Sequence, residues 1–216
     1  MKEVKEYVAG LCAKTKSAAP ALARAGEAQK NAVLADLAAL LESHEDEILA
    51  ANAEDLAAAR EAGIASGMLD RLKLDSARLQ GIRAALGELQ GLHDPVGDGE
   101  CWVRPNGLKI TRVRVPLGVV AMIFEARPNV TLDAAALCIR SGNAAVLRGG
   151  KEAIESGRAI CRVVGDALEA HGLPRDGVCL VERTERAGAE ALMTIRGYVD
   201  VLIPRGGKGL IRNVVD

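Results

Sequence analysis

The sequence lacks a surplus of charge of either sign. Its 28 basic and 29 acidic side chains leave a formal net charge of −1 over 216 residues. A groove that binds nucleic acid, or a patch that binds a membrane surface, normally carries a clear basic excess. The composition therefore argues against both as the main function.

Long apolar runs are also missing. The longest one, Val115 to Phe124, is too short to span a bilayer. The amino-terminal stretch MKEVKEYVAGLCAK is charged throughout and has no signal-peptide core, so we expect a cytoplasmic protein.

Cysteine and histidine are too few and too scattered to indicate a disulfide framework or a metal site. The five cysteines are an odd number without a CxxC pair, which favours reduced thiols. The three histidines, His44, His93 and His171, have no cysteine or matched carboxylate nearby in the sequence. We therefore predict no metal site.

Residues 1–94 are rich in alanine and follow a helical period. One apolar stripe predicts a long amphipathic helix, and its members are Val33, Leu34, Leu37, Leu40, Leu41, Ile48 and Leu49. Asn52 is predicted to cap the next helical segment, and Gly63 to end it in a left-handed turn. This pattern predicts an amino-terminal helical region.

Asp94-Pro95 ends the helical pattern, and two short alternating segments follow on either side of Asn106-Gly107. That dipeptide favours a two-residue hairpin turn in which both positions take positive φ. An isolated two-stranded hairpin is marginally stable in water. We therefore expect residues 95–115 to pack on another sheet or on a second copy of the chain.

Residues 116–216 alternate apolar and helical segments. Strands are predicted at Val115–Phe124, Ala144–Leu147, Val178–Val181 and Val199–Ile203, and helices at Thr131–Arg140, Ile154–Ala170 and Arg186–Ile195. Continuous apolar strands separated by helices predict an α/β fold, with a doubly wound and mostly parallel sheet covered on both faces. Because the last segment opens a helix and stops within it, we expect this domain to be incomplete.

Three loops follow predicted strands, at the sheet edge where open α/β folds bind ligands. The first is Glu125-Ala126-Arg127-Pro128-Asn129. Asn129 has two open interpretations: it caps the next helix, as Thr131 also could, or its amide donates to a developing oxyanion. Arg127 is predicted to hold a substrate carboxylate or phosphate through its planar guanidinium.

The other two loops combine glycine with basic residues. In Arg148-Gly149-Gly150-Lys151 the glycines allow close approach of a ligand, and either basic side chain would bind ribose hydroxyls or phosphate. A plain tight turn is the alternative. Pro204-Arg205-Gly206-Gly207 enters a helix whose start suits phosphate, although it has neither P-loop nor GxGxxG spacing.

The run VPLGVVAMIFEARPNVTLDAAALCIRSGNAAVLRGGKEA resembles the γ-glutamyl phosphate reductase family of the aldehyde dehydrogenase superfamily. The resemblance extends upstream through ILAANAEDLAAAREAGIASGMLDRLKLD and DPVGDG, and downstream through VDVLIPRGGKGLI. It therefore covers nearly the whole chain. Superfamily members share a cofactor domain, a catalytic domain and an oligomerisation hairpin.

The resemblance implies NADPH-dependent reduction of L-glutamyl 5-phosphate to L-glutamate 5-semialdehyde, a step of proline synthesis, by a homo-oligomer. In such enzymes a cysteine thiolate attacks the acyl phosphate, and hydride then reduces the thioester. The resemblance assigns Asn129 approximately to the oxyanion position and the hairpin to oligomerisation. It places Arg148 near the superfamily's lysine that contacts the adenosine ribose, and Arg205-Gly206-Gly207 at the pyrophosphate or nicotinamide side of the cofactor. We predict that Glu125 and both glycine-containing loops, residues 148–151 and 204–207, bind the cofactor.

The sequence departs from this family at the nucleophile. The family's VCNA-like segment is absent, and Cys138 matches a cysteine that is not catalytic in the family. Ser156-Gly157 also replaces an expected Ser-Asn. We expect the catalytic domain to be missing and the chain alone to be inactive. Two other functions remain open: a non-catalytic nucleotide-binding or assembly module, and another acyl-phosphate reductase of the superfamily.

Overall fold

The computed structural model describes residues 2–215. Nine α-helices lie within those residues, namely α1 (Lys2–Arg24), α2 (Glu27–Ser43), α3 (Glu45–Glu61), α4 (Ser66–Leu72), α5 (Ser76–Gly91), α6 (Pro128–Arg140), α7 (Ile154–Ala170), α8 (Arg186–Thr194) and α9 (Lys208–Val215). The strands are β1 (Gly99–Val103), β2 (Lys109–Val113), β3 (Val119–Phe124), β4 (Ala144–Arg148), β5 (Val178–Leu180) and β6 (Val201–Arg205). None of these helices has the length and apolar character needed to cross a membrane.

The four strands β3 to β6 form one parallel sheet in the order β5-β4-β3-β6. The chain winds outward from β3 through β4 to β5, and then crosses to β6 on the other side of β3. This arrangement confirms the predicted α/β class with a parallel sheet. The strand order reverses between β3 and β6, and such a reversal leaves a crevice beyond the carboxyl ends of the two strands.

Helices cover both faces of the sheet. Val120 and Phe124 of β3 belong to the core that also contains α2, α5, α6 and α7. Val119, Ala121 and Ile123 belong to a second core with α1 and α8. Because both faces of β3 are buried, the strand is continuously apolar in sequence rather than alternating.

The first sheet strand begins at Val119, four residues later than predicted. Val115 and Leu117 are 73% and 60% exposed. Gly118 takes a φ of 118°, and a Cβ on it would lie 2.2 Å from an Asp200 carboxylate oxygen. That same oxygen accepts a hydrogen bond from the Val119 amide at 2.8 Å. The close approach of this carboxylate sets the start of the strand.

The predicted long amino-terminal helix is broken into two at His44. This residue takes φ −106° and ψ 18°, and its Nδ1 lies 3.0 Å from the Leu40 carbonyl oxygen. Three acidic residues occupy the first turn of α3. Acidic side chains are favourable at the positive end of a helix, which explains a new helix start at this point.

Asn52 lies in the middle of α3 and is buried, so the prediction that it caps a helix is wrong. Its amide nitrogen donates to the Leu72 carbonyl oxygen at 2.9 Å and to Ser156 Oγ at 3.0 Å. Its amide oxygen accepts from the Leu74 backbone nitrogen at 2.7 Å. Asn52 therefore joins α3 to the segment between α4 and α5 and to α7.

Asp55, one turn further along α3, caps α7 from outside that helix. Its carboxylate accepts hydrogen bonds from the backbone nitrogens of Glu155 and Ser156 at 3.1 and 2.9 Å, and from Ser156 Oγ at 2.6 Å. Burial raises the pKa of Asp55, and the hydrogen bonds from α7 oppose that rise. Two neighbouring helices thus share one buried polar contact.

The hairpin forms as an antiparallel pair, but its turn differs from the prediction. The loop is Pro105–Gly107, closed by a 2.9 Å hydrogen bond from the Gly107 nitrogen to the Arg104 carbonyl oxygen. Gly107 has a φ of 84°, whereas Asn106 does not take positive φ. Proline ahead of Asn-Gly favours a type I turn with one left-handed glycine, rather than a two-residue turn.

A buried group of charges joins α2 and α6 to the segment before β1. Lys30 is 1% exposed, and its Nζ lies 2.5 Å from an Asp94 carboxylate oxygen. The Arg140 guanidinium, also buried, lies 3.9 Å from the same carboxylate and 2.7 Å from Glu27. Burial alone would raise the pKa of Asp94, but Lys30, the Val96 amide and Arg140 together hold it below its ordinary value.

We predict that Asp94→Asn lowers the free energy of unfolding by about 3 kcal/mol at neutral pH, because it leaves Lys30 buried without its counter-charge. The depressed pKa means that Asp94 stabilises the fold above about pH 4, its unfolded pKa, and that this stabilisation is lost as the pH falls through the folded-state pKa. The difference in free energy of unfolding between the unaltered chain and Asp94→Asn should therefore become smaller at acid pH. Urea unfolding at several pH values measures it.

Asp98→Asn is the matched control, because that side chain is 42% exposed and pairs with Arg114 at the surface. This substitution should lower the free energy of unfolding by less than about 1 kcal/mol. Equal losses for the two variants would contradict a buried ion pair at Asp94.

Candidate functional site

A cleft of about 870 Å³ opens at the carboxyl ends of β3, β4 and β5. Its walls come from the loops after these strands and from α4, α8 and α9. Residues from the predicted loops in its lining are Glu125, Arg127, Arg148, Gly150 and Lys151. The volume lies within the usual range of pockets that bind small molecules and cofactors.

A smaller pocket of about 370 Å³ continues the cleft towards the switch point between β3 and β6. It shares Arg71, Glu125 and Arg127 with the cleft, and adds the third predicted loop through Arg205 and Gly206-Gly207. The fold therefore brings the three predicted loops to one edge of the sheet.

Gly149 and Pro204 lie beside the cleft rather than in its lining. A Cβ on Gly149 would lie 3.1 Å from the Phe124 ring, so that this glycine packs towards the core. Pro204 pairs with Ile123 inside β6. The strand thus runs two residues beyond its predicted end at Ile203, and proline is tolerated there because β6 lies at the edge of the sheet.

Glu125 connects the loop after β3 to the loop after β6. Its Oε1 accepts a hydrogen bond from the Gly207 nitrogen at 2.9 Å. A Cβ on Gly206 would lie 2.8 Å from the same oxygen. The carboxylate therefore holds the start of α9 against the end of β3, across the switch point.

Arg148 connects the ends of β4 and β5. Its Nη2 donates to the Thr184 carbonyl oxygen at 2.8 Å. Its Nε is buried and has no hydrogen-bond partner among residues 2–215. Burial lowers the pKa of Arg148, and the Glu152 carboxylate opposes that shift. One donor of this guanidinium thus remains unsatisfied in the wall of the cleft.

Basic side chains without an acidic partner surround the two pockets. In the part of the chain that the structure describes, no carboxylate oxygen lies within 4.0 Å of the charged nitrogens of Arg71, Arg127, Lys151 or Arg205. Guanidinium and ammonium groups in this arrangement suit anionic ligands such as phosphates and carboxylates.

Asn129 is the second residue of α6, and neither it nor Thr131 caps the helix, so that interpretation is wrong. The residue before the helix is Arg127, and among residues 2–215 the side chains of Arg127, Asn129 and Thr131 make no capping hydrogen bond. Pro128 begins the helix and has no N–H that a cap could satisfy. The Asn129 Nδ2 instead donates to Asp133 Oδ2 at 3.3 Å.

Sequence reasoning missed several residues of the cleft. Met68 and Arg71 come from α4, Thr184 follows β5, and Arg186 begins α8. Thr184 could have been found, because the loop after β5 obeys the same rule as the other three. Arg71 carries no local signal, since α4 precedes the sheet by about fifty residues and only folding brings it to this edge.

No cysteine lines either pocket among residues 2–215. Burial raises the pKa of Cys12 to about 11 and the pKa of Cys138 and Cys161 to about 12, and it also raises that of Cys179. Cys101 is exposed on β1. Buried thiols of this kind are poor nucleophiles.

Comparison with known proteins places these features in context. The family described as "Aldehyde dehydrogenase family" matches residues 2–206 of the chain. A γ-glutamyl phosphate reductase of Desulfitobacterium hafniense is 54% identical over 202 residues, which are 94% of this chain and 48% of that protein. The chain thus spans about half the length of the curated relatives it matches.

Solved structures show the same similarity. The γ-glutamyl phosphate reductase of Thermotoga maritima superposes with a TM-score of 0.94 at 38% identity, over 97% of this chain and 51% of that one. The corresponding protein of Saccharomyces cerevisiae gives a TM-score of 0.87 at 30% identity, over 95% of this chain and 52% of that one.

We predict that Gly150→Ala destabilises the chain by about 1–3 kcal/mol, as overpacked substitutions do. The new Cβ would lie 3.0 Å from the Ala126 backbone nitrogen and 2.7 Å from Glu152 Oε2. Thermal unfolding measures the effect. Gly209→Ala is the control, because a methyl group at that position would meet nothing in the described chain within 4 Å apart from the adjacent residues and the backbone of its own helix. Equal melting temperatures for the two variants would show that the loops after β3 and β4 are not in close contact.

Proposed function

Because the chain belongs to the aldehyde dehydrogenase family, we propose that it is the cofactor-binding portion of a γ-glutamyl phosphate reductase. The reaction is the NADPH-dependent reduction of L-glutamyl 5-phosphate to L-glutamate 5-semialdehyde and phosphate, a cytoplasmic step of proline synthesis. The observation that carries the proposal is the basic cleft at the switch point, which suits a dinucleotide and an acyl phosphate side by side.

The residues of the cleft fit a nicotinamide dinucleotide. Within residues 2–215 the Nε of Arg148 has no hydrogen-bond partner and the ammonium of Lys151 has no carboxylate partner, so both side chains are proposed as donors for ribose hydroxyls or a 2′-phosphate. Gly150 lines the cleft, and the absence of a side chain there lets the loop after β4 lie against the Ala126 backbone, which a Cβ would meet at 3.0 Å. The bound cofactor would supply the hydride.

The loop Pro204–Gly207 is proposed to hold the pyrophosphate side of the cofactor, because it leads into the positive end of α9. Glu125 takes one amide of that turn, that of Gly207, and so acts as the positioning group of the loop. We also propose that the site binds NADPH more tightly than NADH.

Two residues of the first loop are proposed to act on the substrate. The Arg127 guanidinium is exposed, and it would bind a carboxylate or the phosphate. Asn129 would donate its Nδ2 to the oxyanion that forms at the carbonyl carbon. To do so it would exchange its present acceptor, Asp133, for the substrate oxygen.

The nucleophilic thiolate is proposed to come from the portion of the relatives that this chain does not match. None of the cysteines within residues 2–215 lines the cleft, and all except Cys101 are at least partly buried, so none of them is placed to attack an acyl phosphate. This same observation favours the second candidate function, a nucleotide-binding module without chemistry of its own.

The β1–β2 hairpin supports a homo-oligomer. Within the described residues it forms a separate two-stranded sheet. Trp102, Val103 and Leu108 are 41%, 65% and 57% exposed. Apolar side chains at an unpaired sheet edge favour association, and a second subunit is the proposed partner.

We predict that the purified chain binds NADPH and that Lys151→Ala weakens this binding about tenfold, since hydrogen bonds from a charged donor contribute about 1.5–3 kcal/mol. Calorimetry with NADPH and NADH measures both affinities. Lys5→Ala, an exposed lysine on α1 outside the cleft, is the matched control and should bind as the unaltered chain does. Unchanged NADPH binding by Lys151→Ala would show that this side chain does not contribute to the cofactor site.

We further predict that the chain alone does not turn over, and that joining it to the carboxyl-terminal half of the Desulfitobacterium hafniense reductase restores activity. Oxidation of NADPH in the presence of L-glutamyl 5-phosphate is the measurement. A folded chimera that binds NADPH but leaves glutamyl phosphate unreduced would refute the reductase and favour the non-catalytic module. Full turnover by the chain alone would refute the claim that its nucleophile lies elsewhere.

A further inference from the structure

A third pocket of about 370 Å³ lies beside Arg127. It is formed by α4, α5 and the first two turns of α6. Polar residues in its lining are Asp70, Arg71, Lys73, Arg78, Arg127, Asn129 and Asp133, of which Asp70 pairs with Arg78 and Lys73 pairs with Asp75. Because Arg71 and Arg127 also line the cleft, the two spaces adjoin at these side chains.

Only part of the positive charge in this pocket is already neutralised. Arg78 donates to the carbonyl oxygens of Asp70 and Lys73, and to Asp70 Oδ1 at 2.8 Å. Arg71 and Arg127 make no side-chain hydrogen bond and no ion pair in the part of the chain that the structure describes. Two guanidinium groups are therefore available to bind a carboxylate through both of its oxygens.

Asp133 provides a negative charge in the same pocket. It is partly buried one turn into α6, and its one hydrogen bond within residues 2–215 comes from Asn129 Nδ2 at 3.3 Å. Burial raises the pKa of Asp133, while the charge of Arg205 and the Asn129 amide oppose the rise. An ionised carboxylate has about four lone-pair sites, so most of its accepting capacity is unused.

We propose that this pocket is the subsite for the α-amino acid end of the substrate. Asp133 binds the ammonium group, and Arg71 and Arg127 bind the α-carboxylate. The inference rests on the proposed function, since it takes the substrate to be the acyl phosphate of an acidic amino acid. The ligand would lie across the pocket, with its acyl phosphate directed past Arg127 into the cleft.

The mixed charge of the lining favours a zwitterion over a simple anion. A subsite for phosphate or for a dicarboxylate gains nothing from Asp133, because like charges repel and a partly desolvated carboxylate is costly without a partner. An ammonium group supplies three donors to that carboxylate. Opposite charges within one pocket also fix the orientation of the ligand.

The test compares L-glutamate with glutarate, which has both carboxylates and no ammonium group. Amide resonances of the isotope-labelled chain are followed by NMR during each titration. L-glutamate should shift resonances in the first two turns of α6 and bind at least about tenfold more tightly than glutarate. Asp133→Asn should abolish that preference, whereas Arg127→Ala should weaken the binding of both ligands.

Glu88→Gln is the matched control, because it removes an exposed carboxylate from the neighbouring turn of α5 without entering this pocket. It should leave both affinities unchanged. The comparison of the two ligands on the unaltered chain requires no variant, so it stands even if a substitution impairs folding.

Equal affinities for the two ligands, an absence of shifts at α6, or an unchanged preference in Asp133→Asn would overturn the subsite. These results are independent of the reductase chimera. An active chimera with no glutamate preference would refute the subsite alone. A glutamate preference with an inactive chimera would refute the proposed reaction and leave an amino-acid site.

Discussion

The cleft depends on one buried polar contact, in which Asn52 and Asp55 of α3 meet Ser156 of α7. Asn52 also fixes the backbone just after Arg71, through Leu72. Asp55 fixes the first turn of α7, which follows the loop of Arg148 to Lys151. Two walls of the cleft are thus anchored to adjacent turns of a single helix. Because buried polar groups are costly when unsatisfied, this contact has few alternative arrangements.

The sheet was predictable because its strands are buried on both faces. That burial demands continuous apolar runs, which are visible in the sequence, and α7 begins and ends at its predicted residues, Ile154 and Ala170. The errors arise where distant residues decide the local structure. Asn52 is predicted to be a helix cap because its contact with Ser156, 104 positions away, is not visible in the sequence. At the hairpin, by contrast, Pro105 was a local signal that outweighed Asn106-Gly107.

The same distinction applies to the site. Loops after strands could be placed from the order of strands and helices alone, since parallel strands end at one edge. Arg71 and Asp133 could not, because each lies in a helix with no unusual local sequence. Their significance comes from what is missing around them: among the described residues no partner neutralises Arg71, and the Asp133 carboxylate accepts a single hydrogen bond. A sequence shows which charges are present, but not which remain uncompensated after folding.

The contact between Glu125 and Gly207 has a consequence for any anion that approaches the start of α9. A carboxylate of the protein already occupies one amide of that turn. Binding of phosphate there is therefore an exchange of an internal anion for an external one, and not a simple addition. The observed affinity would be the difference between two favourable contacts. Such a site keeps its shape when empty, and it releases its ligand readily because a replacement stands beside it.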